Sequence, residues 1–211
     1  MFSFSLVTPP AAEPITLSEA KAHARIDASA DDALLTPLIT AARQWAEKYT
    51  NRAFITQTFR LSVDQFSAAA HLECDGPCAG PIAGAKARAF LRLPRPPLQS
   101  IASVQYFDDN DDAVTWPADN YFVDTSGEPG RLALRSGCVW PDAARLANGL
   151  VITYAAGYGA SAAAVPDAIK VAIRQLVAHW YEHRGDTEQT PGVPQAVLAL
   201  LEPYRVRYAG L

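Results

Sequence analysis

The spacing of apolar residues changes twice along this chain, and that change constrains the fold more than any other feature. From about Asp32 to Tyr49 the apolar positions are Leu35, Leu38, Ile39, Ala42, Trp45, Ala46 and Tyr49, which is helical spacing. From about Phe54 to Ala156 the period falls to two, as in Phe59, Leu61 and Val63 with polar residues between them. After Pro166 the helical spacing returns in Ile169, Ile173, Leu176, Val177 and Trp180. Strand period bracketed by helix period predicts an α+β fold. The expected arrangement is a helical bundle built from N- and C-terminal helices (1–53 and 161–203) with an inserted antiparallel β subdomain (54–160). An extended tail (204–211) follows. Trp45, Tyr49, Ile173, Leu176 and Trp180 are expected to pack the bundle.

Local signals sharpen this outline. Thr16 and Glu19 have the spacing of a capping box, so a short helix should run to about Ile26. Pro37 interrupts the next helical pattern; it either kinks the first turns or stands at the first helical position after a Thr36 cap. Asn51 suits a left-handed helix stop. Ala89–Leu93 reads as a strand. Val104–Phe107 and Val114–Trp116 flank an acidic turn, and Tyr121–Val123 and Arg131–Leu134 flank Ser126–Gly130, so two hairpins are expected. Leu150–Tyr154 is the last strand. The loop from 67 to 87, rich in Ala, Gly and Pro, is long for a compact domain. Pro194 opens a last short helix with Val197, Leu200, Leu201 and Tyr204 inward.

Composition narrows the function. The 211 residues are 49% hydrophobic and only 19% charged, which argues against disorder and allows surface covered by partners. The net charge of −4 gives no basic footprint for wrapping nucleic acid. No apolar run approaches a membrane span, and Met1–Phe4 lacks the positive start of a signal peptide. Three Cys fit a reducing compartment better than a disulfide framework.

Four motifs offer chemistry, and each has a plainer reading. His179, Glu182 and His183 match H-x-x-E-H, a zinc-hydrolase pattern with the two His on one helix face. The third ligand is wanting: only Glu188 and Glu202 follow, both close in sequence, and an amphipathic helix is the better reading. Cys74 and Cys78, with His71, make at most three zinc ligands. Asp108–Asp112 begins like a calcium loop but has Ala113 and Asp119 where such a loop needs Gly and Glu. Gly157-Tyr158-Gly159 lacks the third Gly of a phosphate cradle and reads as a turn. No catalytic, cofactor or metal residues emerge. A small zinc hydrolase and a monomeric binding module stand as alternatives to a structural role.

That role comes from a resemblance. Glu19-Ala20-Lys21, Asp31-Asp32, the run Ala41–Arg52, Val104-Gln105-Tyr106, Tyr121–Val123, Trp140-Pro141, Tyr154–Tyr158, Val165–Lys170 and Trp180–Arg184 follow one another in a specific order. The whole resembles the head–tail connector, or adaptor, proteins of long-tailed bacteriophages and phage-derived gene transfer agents. The resemblance implies a virion structural protein at the head–tail interface, assembled in the bacterial cytoplasm, with no catalysis and no cofactor. It implies a ring of about twelve identical copies between the portal protein and a stopper, neck or tail-terminator protein. DNA passes through the centre as cargo, and no membrane is involved. Arg43, Arg52, Tyr181, Arg184, Tyr204, Arg205, Val206, Arg207, Tyr208 and Leu211 are the expected protein–protein contacts, the tail docking on the portal as an extended segment.

Overall fold

The structure, a computed structural model, describes residues 2–64, 90–183 and 192–207. The chain is α+β and divides into two compact units. One comprises Met1–Pro9 and Thr58–Ala156; the other comprises Pro10–Gln57 and Gly157–Leu211.

The second unit is helical. Helix α1 (Leu17–Ala24) starts at Thr16, whose hydroxyl accepts from the Glu19 N–H while the Glu19 carboxylate accepts from the Thr16 N–H. Both halves of the expected capping box are therefore present. Helix α2 spans Asp32–Thr50 with Pro37 inside it, so the helix begins a turn before Thr36. Thr36 is within the helix, and its hydroxyl donates to the Asp32 carbonyl at 2.9 Å. Asn51 closes α2 in the left-handed conformation, as its residue type suggested. Helices α3 (Asp167–Glu182) and α4 (Gln195–Leu201) both follow a proline at the cap.

Their apolar faces meet in one core: Leu35, Ile39, Ala42 and Ala46 from α2, Ile169, Ile173, Leu176 and Val177 from α3, and Val197 and Leu201 from α4. Trp45, Tyr49 and Trp180 are partly buried against it. Phe54 and Ile55, expected in the β region, are fully buried in this core instead. They are held there by the turn after Ala156. The Tyr158 N–H donates to the Phe54 carbonyl, and the Thr56 N–H donates to the Gly159 carbonyl at 2.9 Å. Gly157 makes this possible: its φ is +136°, and a Cβ there would lie 2.6 Å from the Ile55 carbonyl carbon.

The first unit contains two antiparallel sheets. The five strands β1 (Phe2–Thr8), β2 (Gln57–Val63), β8 (Leu150–Ala156), β4 (Leu98–Phe107) and β5 (Ala113–Thr115) lie side by side in that order. The strands β3 (Phe90–Arg92), β7 (Arg131–Leu134) and β6 (Tyr121–Asp124) form the other sheet. Both expected hairpins are present, with Tyr106 opposite Val114 in one and Phe122 opposite Ala133 in the other. Phe59, Leu61, Val63, Val104, Leu132, Ile152 and Tyr154 are buried. Trp116 stacks on Tyr121 and Trp140, with ring centroids 5.2 and 5.4 Å away.

The boundaries differ from expectation at the N-terminus. The segment 1–53, expected to be helical, begins with a strand: Phe2–Thr8 pairs antiparallel with β2. The signal was the alternation Phe2, Phe4, Leu6. The loop at 67–87, with His71, Cys74 and Cys78, lies outside the described residues.

Candidate protein–protein interface

The expected contact residues fall into two groups. Arg43 and Arg52 are only 5% and 7% exposed, so neither offers its charge at the surface of the helical unit. Arg43 Nε donates to Glu13 at 2.7 Å and Arg43 Nη1 to Glu47 at 2.8 Å. The other oxygens of these carboxylates are also engaged. Glu13 accepts from Thr40, and Glu47 accepts from the Phe54 N–H and from Gln57 Nε2 at 2.6 Å. Burial pushes the Glu47 carboxyl above its usual value, and Arg43 pulls against it. This network ties the strand-to-helix lead-in, α2 and the exit from α2 together. Arg43 and Arg52 are thus internal ties, a correction to their expected role. A helix charge at an apolar–polar boundary reads identically in sequence whether it turns in or out.

The C-terminal arm, expected as an extended tail over 204–211, is described as far as Arg207, and Arg205 is extended. The chain turns through Glu202–Tyr204 and lies against the end of α2. The Val206 N–H donates to the Thr50 carbonyl, and Asn51 Nδ2 donates to the Val206 carbonyl, each at 2.9 Å. Arg52 Nε donates to the Tyr204 carbonyl. Val206 is buried. A helix end leaves carbonyls without partners, and the arm supplies one of the missing donors. Tyr208 and Leu211 lie outside the described residues, as does Arg184.

What the arm presents outward is an ordered ladder. Trp45 and Tyr49, four residues apart on α2, stack with centroids 5.3 Å apart and planes 10° from parallel. The Arg205 guanidinium lies 4.9 Å from the Tyr49 ring centroid on the arm side. The Tyr49 hydroxyl donates to Glu202 at 2.7 Å, and Arg207 pairs with the other Glu202 oxygen. The bond to Glu202 raises the Tyr49 hydroxyl pKa, and the same bond, then Arg207, lowers that of Glu202. Arg207 remains 76% exposed at its side chain. Aromatic and arginine groups held in one geometry are the residue types that dominate binding energy at interfaces. Glu202 was not among the expected contacts; its place between Tyr49 and Arg207 depends on the turn at Pro203. Tyr181 is half-buried, and its hydroxyl donates to Asp31 at 2.7 Å, tying α3 to the start of α2.

The chemical motifs resolve into local structure. The His179 and His183 rings lie 4.4 Å apart, and His183 Nδ1 is 2.8 Å from the His179 carbonyl. In the acidic turn, Asp108 accepts from the N–H groups of Asn110 and Asp112, and Asp111 pairs with Arg145. Among the described residues no three His, Cys, Asp or Glu side chains are grouped to hold a metal ion. No described helix is long and apolar enough to cross a membrane.

Comparison with known proteins bears on both units. Residues 14–73, which include α1, α2 and β2, match the model of the phage gp6-like head-tail connector proteins. None of the curated proteins matches the chain. Among solved structures, a chain from the virion of a native gene transfer agent particle is 23% identical at a TM-score of 0.74, over 98% of this chain and 97% of that one. A chain from the neck of an empty gene transfer agent particle, computed with C6 symmetry, gives 0.73 at 23% identity over 100% and 98%. One from the neck of a native particle, computed with C12 symmetry, gives 0.70 at 23% identity with the same coverage. The chain therefore has, over its whole length, the fold of chains found in gene transfer agent particles, and its first helices are similar to phage head–tail connectors.

Proposed function

We propose that this protein is a head–tail connector of a tailed phage or phage-like particle. It acts without catalysis or cofactor, as one of about twelve identical copies in a ring between the portal and the stopper or neck proteins. DNA passes through the centre. The observation that carries this reading is the whole-length likeness to neck chains, joined to the connector match over the first helices.

The physical properties fit the role. A closed ring needs two different faces on each subunit, and a chain only 19% charged has apolar surface to spare. A net charge of −4 gives the chain no overall basic character with which to grip a sliding polyanion. The Trp45–Tyr49–Arg205 ladder and Arg207 form the surface we assign to the portal.

Removal of this chain from particle-producing cells tests the reading. The expected product is DNA-filled heads without tails, and separate tails, counted by electron microscopy. Complete tailed particles at normal yield in its absence would overturn it.

A further inference from the structure

Strand β1 is an edge without the usual protection. It pairs with β2 on one side, and no described strand pairs with it on the other; the Ser3 hydroxyl donates to Asn148 at 3.2 Å. Soluble proteins guard such edges with charges, prolines or bulges. Phe2–Thr8 contains no charged residue; its register shift comes only between Leu6 and Thr8, and Pro9 follows, so Phe2–Leu6 carries no charge, proline or bulge.

Its face is also unfinished. Phe2, Phe4 and Leu6 stand opposite Val63, Leu61 and Phe59, all buried. The buried face of the sheet therefore continues onto β1, where Phe2 is 42% and Leu6 50% exposed. Only Phe4 is covered, stacked on Phe59 at 4.9 Å. At the far side of the same sheet β5 is a second open edge, Ala113–Thr115, again uncharged and mostly exposed.

We propose that the free edge of β1 pairs with the free edge of β5 in a second copy of this chain, so that neighbouring sheets continue into one another. This rests on the ring reading above. The size of the contact points to that occupant. A short strand edge offers roughly a few hundred Å², well below the ~1,200 Å² of a free-standing specific complex. Its occupant must be held there by other contacts, as a ring neighbour is. Pairing β1 with β1 would close a two-fold dimer and leave both β5 edges open. Pairing β1 with β5 runs head to tail, uses both edges, and meets no like charge.

The test uses assembled particles carrying variants in place of the natural chain. Leu6→Lys places a charge on the open face; Leu34→Lys, an exposed apolar site on α2, is the control. Both should melt within about 3 °C of the parent as purified protein. Copies of Leu6→Lys per particle should fall at least about tenfold, while Leu34→Lys assembles normally. If Leu6→Lys fails to fold, Ser5→Lys, on the opposite face of the strand, replaces it. Separately, Cys74, Cys78 and Cys138 are changed to Ser, and Ser3→Cys or Ser5→Cys is combined with Ala113→Cys or Thr115→Cys. Oxidation of these particles should give a ladder of covalent multimers with at least one pair and none with single cysteines. Many copies per neck in the parent, with no ladder and normal assembly of the lysine variant, would overturn the edge pairing and leave the ring standing. A parent present once per particle, or absent from the neck, would overturn the ring reading and the pairing with it.

Discussion

In the helical unit, Arg43 and Glu47 are buried, and the Glu47 oxygens accept from Arg43, Gln57 and the Phe54 N–H. In the sheet unit, two ion pairs lie at turns: Asp124 with Arg131 across one hairpin, and Asp111 with Arg145 beside the other. The same unit leaves Phe2, Leu6, Phe122, Val139 and Leu146 exposed. A buried charge without partners is costly, so the helical unit specifies its interior through satisfied polar groups. Turn-borne charges cost little and fix little, which leaves the sheet unit's apolar edge as its distinctive surface. Among the described residues, the helical unit buries paired charges, whereas the sheet unit carries most of the exposed large apolar side chains.

The contrast is sharpest at Arg43. Arg43→Ala removes the guanidinium from between Glu13 and Glu47 and should cost about 3–5 kcal/mol in urea denaturation. A loss below about 1 kcal/mol would mean that the network is no tighter than a surface pair, and the contrast between units would fail. Gly157→Ala should cost about 1–3 kcal/mol, because its Cβ has no room beside Ile55 and its φ is positive. A neutral result would show that the turn after β8 is free to shift.

The C-terminal arm tests whether the helical unit extends past α4. Deleting Arg205–Leu211 removes buried Val206 and its two backbone bonds, and should cost about 2 kcal/mol. Arg207→Ala, at an exposed ion pair, should cost less than about 0.5 kcal/mol. If it nonetheless weakens attachment of tails, Arg207 acts on a partner; if attachment is unchanged, the ladder is only an internal strut.

The smallest effect expected is in the sheet unit. The Ser126 hydroxyl, then Arg131 and the Ser126 N–H, hold the Asp124 carboxyl down at about 2. A depressed carboxyl stabilises the fold above its ordinary value of 3.8, and that contribution fades as pH falls through about 2. Asp124→Asn should therefore melt slightly below the parent at pH 7 and level with it near pH 2. Titration of Asp124 by NMR near 3.8 would show that the turn does not hold its carboxylate.

Much of the fold was legible because short-range rules governed it. The Thr16 capping box, the Asn51 stop, the two hairpins and the proline-led helices follow from residues within a few positions of one another. The order of pieces along the chain sufficed for the resemblance to connectors, and the likeness of the whole fold agrees with it. Sequence alone did not decide which way an amphipathic residue turns. Arg43 and Arg52 read as surface charges, and their burial depends on Glu13, Glu47 and the Tyr204 carbonyl coming from distant segments. Val206 read as part of a loose end, and became core when the turn at Pro203 laid it on α2. The alternation of Phe2, Phe4 and Leu6 was present in the sequence, but its place at a sheet edge was not, since strand order is a long-range property. Local propensity determined the elements and their ends; long-range pairing decided which charges are answered inside and which edge remains open.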